Sequence, residues 1–160
     1  MKISILLPYK ENFSPEYPGA VSLFVNYTTQ LSKYKKDITV YGYTSLKKKF
    51  NLNYVNINLK KKLFQSQSKK YVEKFIKLNS INQPNIIEVH NRPNYVNLIQ
   101  NLKANIVLYF HNDPISMIGS KSSSERIELL NKCTKIIFNS EWSKQRFLTK
   151  LKNIYHKTSK

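Results

Sequence analysis

Residues 105–110 are NIVLYF, and His111, Asn112 and Asp113 follow them directly before Pro114. A short apolar run that is rich in β-branched and aromatic residues and ends at turn residues is typical of a buried strand. Strands buried on both faces occur mainly in parallel sheets that are covered by helices. This stretch therefore predicts an α/β fold and places His111 at the end of a strand.

Further apolar runs of the same kind recur on both sides of this strand. They lie at residues 2–7, 38–43, 54–57, 86–89 and 136–138. Segments with helical spacing lie between most of them, beginning near Ala20, Ser66, Pro93, the serine-rich residues 120–124 and Ser140. Strands that alternate with helices in this way predict an open, mainly parallel sheet with helices on both faces.

The first of these helices carries a stripe of apolar residues. Its members recur at steps of three and four, which is the spacing that lines one face of a helix: Ala20, Phe24, Tyr27, Leu31 and Tyr34. The second helix has a similar stripe, formed by Tyr71, Phe75, Leu78 and Ile81. The two stripes support the assignment of both segments as helices.

Length and composition predict one domain in a reducing compartment. The chain has 160 residues, and a domain of about 150 residues buries roughly 70% of its unfolded surface. We expect this domain over residues 1–152, with a basic tail over residues 153–160. Cys133 is the single cysteine, which excludes an internal disulfide. Because the apolar start lacks a signal-peptide cleavage site, we expect a cytoplasmic protein.

The charge is the strongest compositional bias, with 27 Lys and Arg against 9 Asp and Glu and a net charge of +18. Such a field attracts polyanions, including nucleic acid and anionic membrane surfaces. However, only Arg92, Arg126 and Arg146 are arginines. Proteins that recognise phosphates and bases specifically favour the planar guanidinium of arginine. The lysine surplus therefore indicates diffuse electrostatic attraction and argues against a nucleic-acid partner.

Polar residues follow several strands at the edge where parallel sheets bind ligands. His111 is the leading catalytic candidate, and the alternative is a histidine that only hydrogen-bonds the loop backbone. His90 occupies the same place after the neighbouring strand. Because no third ligand follows at a recognisable spacing, we expect no metal site. Gly19 stands alone in the first loop, where a dinucleotide-binding turn would need several glycines.

Four segments together resemble the retaining glycosyltransferases of family 4 (group 1), which have two facing sheet domains, the GT-B fold. The segments are PYKENFSPEYPGA at 8–20, IIEVHNRPNYV at 86–96, VLYFHNDP at 107–114 and KIIFNSEWSKQRF at 135–147. The resemblance covers nearly the whole chain. It implies a Rossmann-like, acceptor-binding N-terminal domain, with the C-terminal donor-binding domain absent from this sequence.

The resemblance also implies a role for each strand-end residue. Backbone amides of Gly19 and Ala20 would approach the diphosphate of the donor. His111 would lie beside the transferred sugar and act in catalysis. The acceptor side would be lined by His90, Asn91, Arg92, Asn139 and Ser140.

Enzymes of this kind use a nucleotide-sugar as substrate, so the resemblance implies neither a cofactor nor a metal. The acceptor would be a lipid-linked or polysaccharide precursor, and the lysine surplus would serve peripheral contact with the anionic inner membrane. The second domain would neutralise the leaving diphosphate, which is usually the largest catalytic contribution, so we expect the isolated domain to be inactive. Two alternatives stay open: a basic binding module for nucleic acid or an anionic membrane surface, and another α/β enzyme such as an epimerase.

Overall fold

The structure is a computed structural model that describes residues 1–59 and 66–151. Its strands are β1 (Ile3–Leu6), β2 (Ile38–Gly42), β3 (Tyr54–Asn56), β4 (Ile86–His90), β5 (Asn105–Phe110) and β6 (Lys135–Phe138). Its helices are α1 (Ala20–Leu31), α2 (Gln67–Ser80), α3 (Pro93–Leu98), α4 (Ser123–Lys132) and α5 (Glu141–Leu148). The predicted basic tail over residues 153–160 lies outside the described residues.

The strands form one sheet in the order β3-β2-β1-β4-β5-β6. All five pairings are parallel, and Leu6 of β1 lies opposite Val89 of β4 in the central pair. The predicted α/β architecture with a parallel sheet is therefore confirmed. The strand order reverses between β1 and β4, and ligands of doubly wound sheets bind beyond the strand ends at such a point.

Serine side chains begin three of the helices, as the sequence predicts. Ser66 accepts a hydrogen bond from the backbone of Lys69, and Ser140 accepts one from Ser143. Ser122 forms a capping box with Glu125, in which each side chain accepts from the backbone amide of the other residue. These bonds satisfy amide groups that have no partner within the first helical turn.

Helices cover the two faces of the sheet unequally. The larger core joins α2, α3, α4 and α5 to one face, where their buried aromatic and aliphatic side chains meet those of the strands. Its largest fully buried members include Tyr71, Phe75, Tyr95, Phe110 and Phe147. Since strand side chains alternate between faces, Ile87 and Val89 of β4 point to this side.

Among the described helices, only α1 packs on the opposite face. Val21 and Val25 of α1 bury there against Ile3 and Ile5 of β1 and Val40 of β2. The same face of β5 and β6 carries Val107 and Ile137, which are only partly buried. The helical cover on this face is thus centred on β1 and β2.

The apolar stripe of α1 lies mainly toward solvent, although its spacing is typical of a core-facing surface. Leu31 is 88% exposed and Tyr27 is 65% exposed. The helix packs instead through Val21, Ser22, Val25 and Thr29. These side chains are shorter than Phe, Tyr or Leu, so they let the backbone of α1 lie closer to the sheet. In α2 the predicted stripe is right for Tyr71 and Phe75, whereas Leu78 and Ile81 are exposed.

No helix within residues 1–59 and 66–151 is both long enough and apolar enough to cross a bilayer.

Candidate functional site

A crevice of about 390 Å³ lies beyond the carboxyl ends of β1, β4 and β5. Known ligand pockets measure roughly 300–1,000 Å³, so this space is large enough for a small molecule. Its lining combines residues from all the predicted strand-end loops: Pro8, Glu11, Ala20, Val21, Asn91, Arg92, His111, Asn112 and Asn139. Five predicted site residues belong to this lining, namely Ala20, Asn91, Arg92, His111 and Asn139.

The two histidines form a hydrogen-bonded pair at adjacent strand ends. His90 Nδ1 lies 2.9 Å from His111 Nε2, and the two rings lie side by side with centroids 5.2 Å apart and planes inclined by 22°. His90 is 1% exposed, while His111 is partly exposed and lines the crevice. His90 therefore reaches the crevice only through His111, and it does not lie among the residues that would touch a ligand.

Aromatic rings enclose the histidine pair on the α1 side of the sheet. Tyr109 stacks on His90, with centroids 4.6 Å apart and planes inclined by 9°. Phe24 of α1 meets the His111 ring edge to face at 4.9 Å. The sequence offered a signal for Tyr109, because it precedes His111 by two residues and so shares its face of the sheet. The contact between Phe24 and His111 depends on the angle at which α1 crosses the sheet. The local sequence of α1 does not determine that angle.

This enclosure keeps His111 neutral at physiological pH. Burial of the ring, and secondly its proximity to His90, lower the pKa of His111 to about 4. A neutral imidazole has one N–H donor and one acceptor nitrogen. His111 can therefore orient a hydroxyl group without placing a positive charge in the crevice.

Two asparagines hold the backbone of His111 in place. Asn91 Oδ1 accepts a hydrogen bond of 2.8 Å from the His111 amide, and Asn139 Nδ2 donates one of 2.8 Å to its carbonyl. Asn91 has a φ of 53°, a left-handed conformation that asparagine tolerates better than most residues. Both residues were predicted on the acceptor side, and in this structure their side chains position His111.

Arg92 and Ser140 differ in their availability to a ligand. Arg92 lines the crevice, and its guanidinium also donates a hydrogen bond of 2.7 Å to the carbonyl of Asn91. Its remaining N–H groups give the crevice a fixed positive charge. Ser140 does not line the crevice. Its hydroxyl accepts a hydrogen bond from the Ser143 amide and so caps the N-terminus of α5.

The loop after β5 is fixed by an ion pair with α5. Arg146 Nη2 lies 2.9 Å from Asp113 Oδ2, and Arg146 Nε donates to the other carboxylate oxygen at 3.3 Å. This hydrogen bonding to Arg146 lowers the pKa of Asp113. The loop that carries His111 is thereby tied to the helix that follows β6.

The N-terminus of α1 is occupied by a carboxylate from the same chain. Glu11 Oε1 accepts a hydrogen bond of 3.1 Å from the amide of Ser22, within the first turn of α1. The Gly19 amide donates to the carbonyl of Asn12 at 3.3 Å. A Cβ on Gly19 would lie only 1.9 Å from Glu11 Oε1, so the glycine makes room for this carboxylate. A donor phosphate at Gly19 and Ala20 would require Glu11 to move.

Within the described ranges, no group of three or more His, Cys, Asp and Glu side chains is placed to hold a metal ion. Cys133 is partly buried, and burial raises the pKa of its thiol to about 12. Its thiolate population at neutral pH is consequently negligible, as expected for a structural cysteine.

No family model matches the chain, and no curated protein matches it significantly.

Proposed function

We propose that this chain is the acceptor-side domain of a retaining, nucleotide-sugar-dependent glycosyltransferase of the family 4 type. The observation that carries the proposal is the neutral His111 imidazole, hydrogen-bonded to His90, at the crevice where the strand order reverses. The four segments that resemble the family all contribute residues to this rim of the sheet. The reaction would move a sugar from the donor to a lipid-linked or polysaccharide precursor.

His111 is the proposed catalytic residue. The transition state of glycosyl transfer has oxocarbenium character and carries positive charge on the sugar, as in glycoside hydrolysis. A neutral imidazole can bind a sugar hydroxyl and its dipole can stabilise that charge, whereas an imidazolium would repel it. The low pKa of His111 therefore suits this role over the whole neutral range.

Arg92 is the proposed contact for an anionic or hydroxyl group of the acceptor. It lines the crevice beside Asn91, which with Asn139 keeps His111 in position. A second domain would bind the nucleotide and neutralise the leaving diphosphate, so the chain alone would transfer sugar poorly. The proposed setting is cytoplasmic, with the +18 charge supporting peripheral contact with an anionic membrane.

The test is nucleotide release by the complete reading frame, measured with a panel of nucleotide-sugars and a membrane extract as the source of acceptor. We expect donor-dependent transfer that His111→Ala abolishes without altering the circular dichroism spectrum. His156→Ala, which removes the remaining histidine outside the described residues, is the matched control. Full activity of the His111→Ala variant would remove this residue from the mechanism.

The charge supports a second candidate function, a basic module that binds nucleic acid or an anionic membrane surface. Titration of labelled RNA across a salt series separates a nucleic-acid module from the transferase domain, whereas binding to anionic vesicles is expected of both. Binding to RNA that is tight at physiological salt and falls steeply as salt rises would favour the module. Absence of RNA binding at physiological salt would favour the transferase domain.

A further inference from the structure

We infer that Glu88 and His90 are positioning residues that fix the tautomer of His111, leaving its Nδ1 as the hydrogen-bond acceptor. The inference concerns the placement of protons and can be tested on this chain without transferase activity. Its catalytic use rests on the proposed function: an acceptor nitrogen on His111 would select a sugar hydroxyl, which can donate a hydrogen bond, over a group that can only accept one.

The three side chains form a continuous series on one face of the sheet. Glu88 and His90 lie two residues apart on β4 and so point to the same side. Glu88 Oε2 is 3.6 Å from His90 Nε2, and His90 Nδ1 is 2.9 Å from His111 Nε2. Glu88 therefore connects to the crevice through two imidazole rings.

The carboxylate decides which nitrogen of His90 carries the proton. His90 Nε2 is buried and has no hydrogen-bond partner among the described residues, so Glu88 supplies its strongest local field. A lone pair on Nε2 would face a negative charge and be repelled, whereas an N–H would be attracted. The favoured neutral form of His90 consequently has its proton on Nε2 and a lone pair on Nδ1.

The proton of His111 follows from that of His90. A hydrogen bond between the two rings needs one donor, and His90 Nδ1 with a lone pair can only accept. His111 must then donate from Nε2, which leaves its own lone pair on Nδ1. Tyr109 stacks on His90 and fixes the plane of that ring.

The experiment is long-range ¹H–¹⁵N NMR on the 160-residue chain labelled with ¹⁵N-histidine, recorded at pH 7. This measurement distinguishes Nδ1–H from Nε2–H tautomers through the pattern of ring couplings. We expect both His90 and His111 as Nε2–H tautomers. An Nδ1–H tautomer or a doubly protonated ring at either residue would overturn the inference.

Glu88→Gln tests the role of the carboxylate, because glutamine keeps the shape and removes the charge. A glutamine side chain can donate to or accept from His90 Nε2, so we expect both tautomers at His90 and His111. Glu128→Gln, on the exposed flank of α4 beside Lys132, is the matched control and should keep the wild-type pattern. An unchanged pattern in Glu88→Gln, with a native amide spectrum, would show that Glu88 does not set the tautomer.

The kinetic consequence is measured separately in the complete enzyme. There Glu88→Gln should lower kcat by about tenfold with little change in KM, the scale of loss known for carboxylates that orient metal-bound histidines. A wild-type kcat together with the altered NMR pattern would overturn the catalytic use of the tautomer and leave its assignment standing. Absence of any transferase activity, with the expected tautomers in the NMR spectrum, would count against the proposed function alone.

Discussion

One face of the sheet carries the larger hydrophobic core, and the opposite face carries the titratable side chains beside the crevice. In the described residues, 18 buried apolar side chains form the core under α2 to α5, whereas 8 form the core under α1. The titratable series of Glu88, His90 and His111 lies on the face with less helical cover. Full burial of a carboxylate beside two imidazoles would be costly in free energy. Such groups are better tolerated on the face that fewer helices cover.

The largest loss of stability is expected from a substitution in the core under α2 to α5. Phe75 of α2 is fully buried and packs edge to face on Tyr41 at 5.0 Å. Phe75→Ala should therefore lower the free energy of unfolding by about 3–5 kcal/mol. Urea denaturation measures this loss, with the exposed Leu31→Ala as a control that should change it by less than about 0.5 kcal/mol. Equal losses in the two variants would contradict the assignment of the main core.

A matched pair of substitutions compares the two faces directly. Val72 of α2 and Val25 of α1 are both fully buried, one in each core. Each change to alanine removes two methyl groups, which costs roughly 1.6 kcal/mol before any cavity is counted. The smaller core around Val25 is bordered by the partly buried Phe50, Leu52 and Tyr54, which can close the gap, so we expect the larger loss of stability for Val72→Ala. Thermal denaturation measures both losses of stability. A larger loss for Val25→Ala than for Val72→Ala would contradict this expectation.

Glu11→Gln should have a smaller effect, confined to the start of α1. It removes a negative charge from the helix N-terminus, where a carboxylate contributes about 0.3–1 kcal/mol. The amide oxygen of glutamine can still accept from Ser22, so most of the hydrogen bonding is retained. Thermal denaturation in low and high salt is the measurement. A loss that does not shrink as salt rises would show that the charge of Glu11 is not the cause.

At neutral pH the smallest effect comes from His111, whose contribution to stability changes only as the pH falls. Its pKa is about 4 in the folded protein against 6.5 ordinarily, so the unfolded chain binds the extra proton first. Stability should fall as the pH drops from about 6.5 toward 4, and this slope should be shallower in His111→Gln. The partial exposure of His111 weakens the effect through solvent screening. Identical slopes for both proteins in urea titrations would contradict the low pKa.

The sequence predicted most elements of the fold because their signals are local. The run NIVLYF matches β5 at both ends, and Ser66, Ser122 and Ser140 begin helices as serine caps do. It also placed His90 and His111 at one rim, since parallel strands share a carboxyl edge. The order of strands in the sheet was not predicted, because it depends on contacts between distant segments.

The candidate site was predicted only in part, for a related reason. Glu11 and Glu88 were missed because their partners, α1 and the histidine pair, are brought to them by tertiary packing. The buried face of α1 was also not identified, since its small residues Val21, Ser22 and Val25 give a weaker signal than the exposed aromatic stripe. In that helix close approach to the sheet outweighs the apolar area of the larger side chains.

The carboxylate of Glu11 at the start of α1 limits which anions can bind in the crevice. A side chain tethered beside its binding position competes at an effective concentration of about millimolar or more. Free phosphate at comparable concentration would gain little by replacing Glu11, whereas an anion that is part of a larger ligand brings additional contacts. Glu11, in the loop before α1, is thus an internal competitor for any anion that binds at this helix N-terminus.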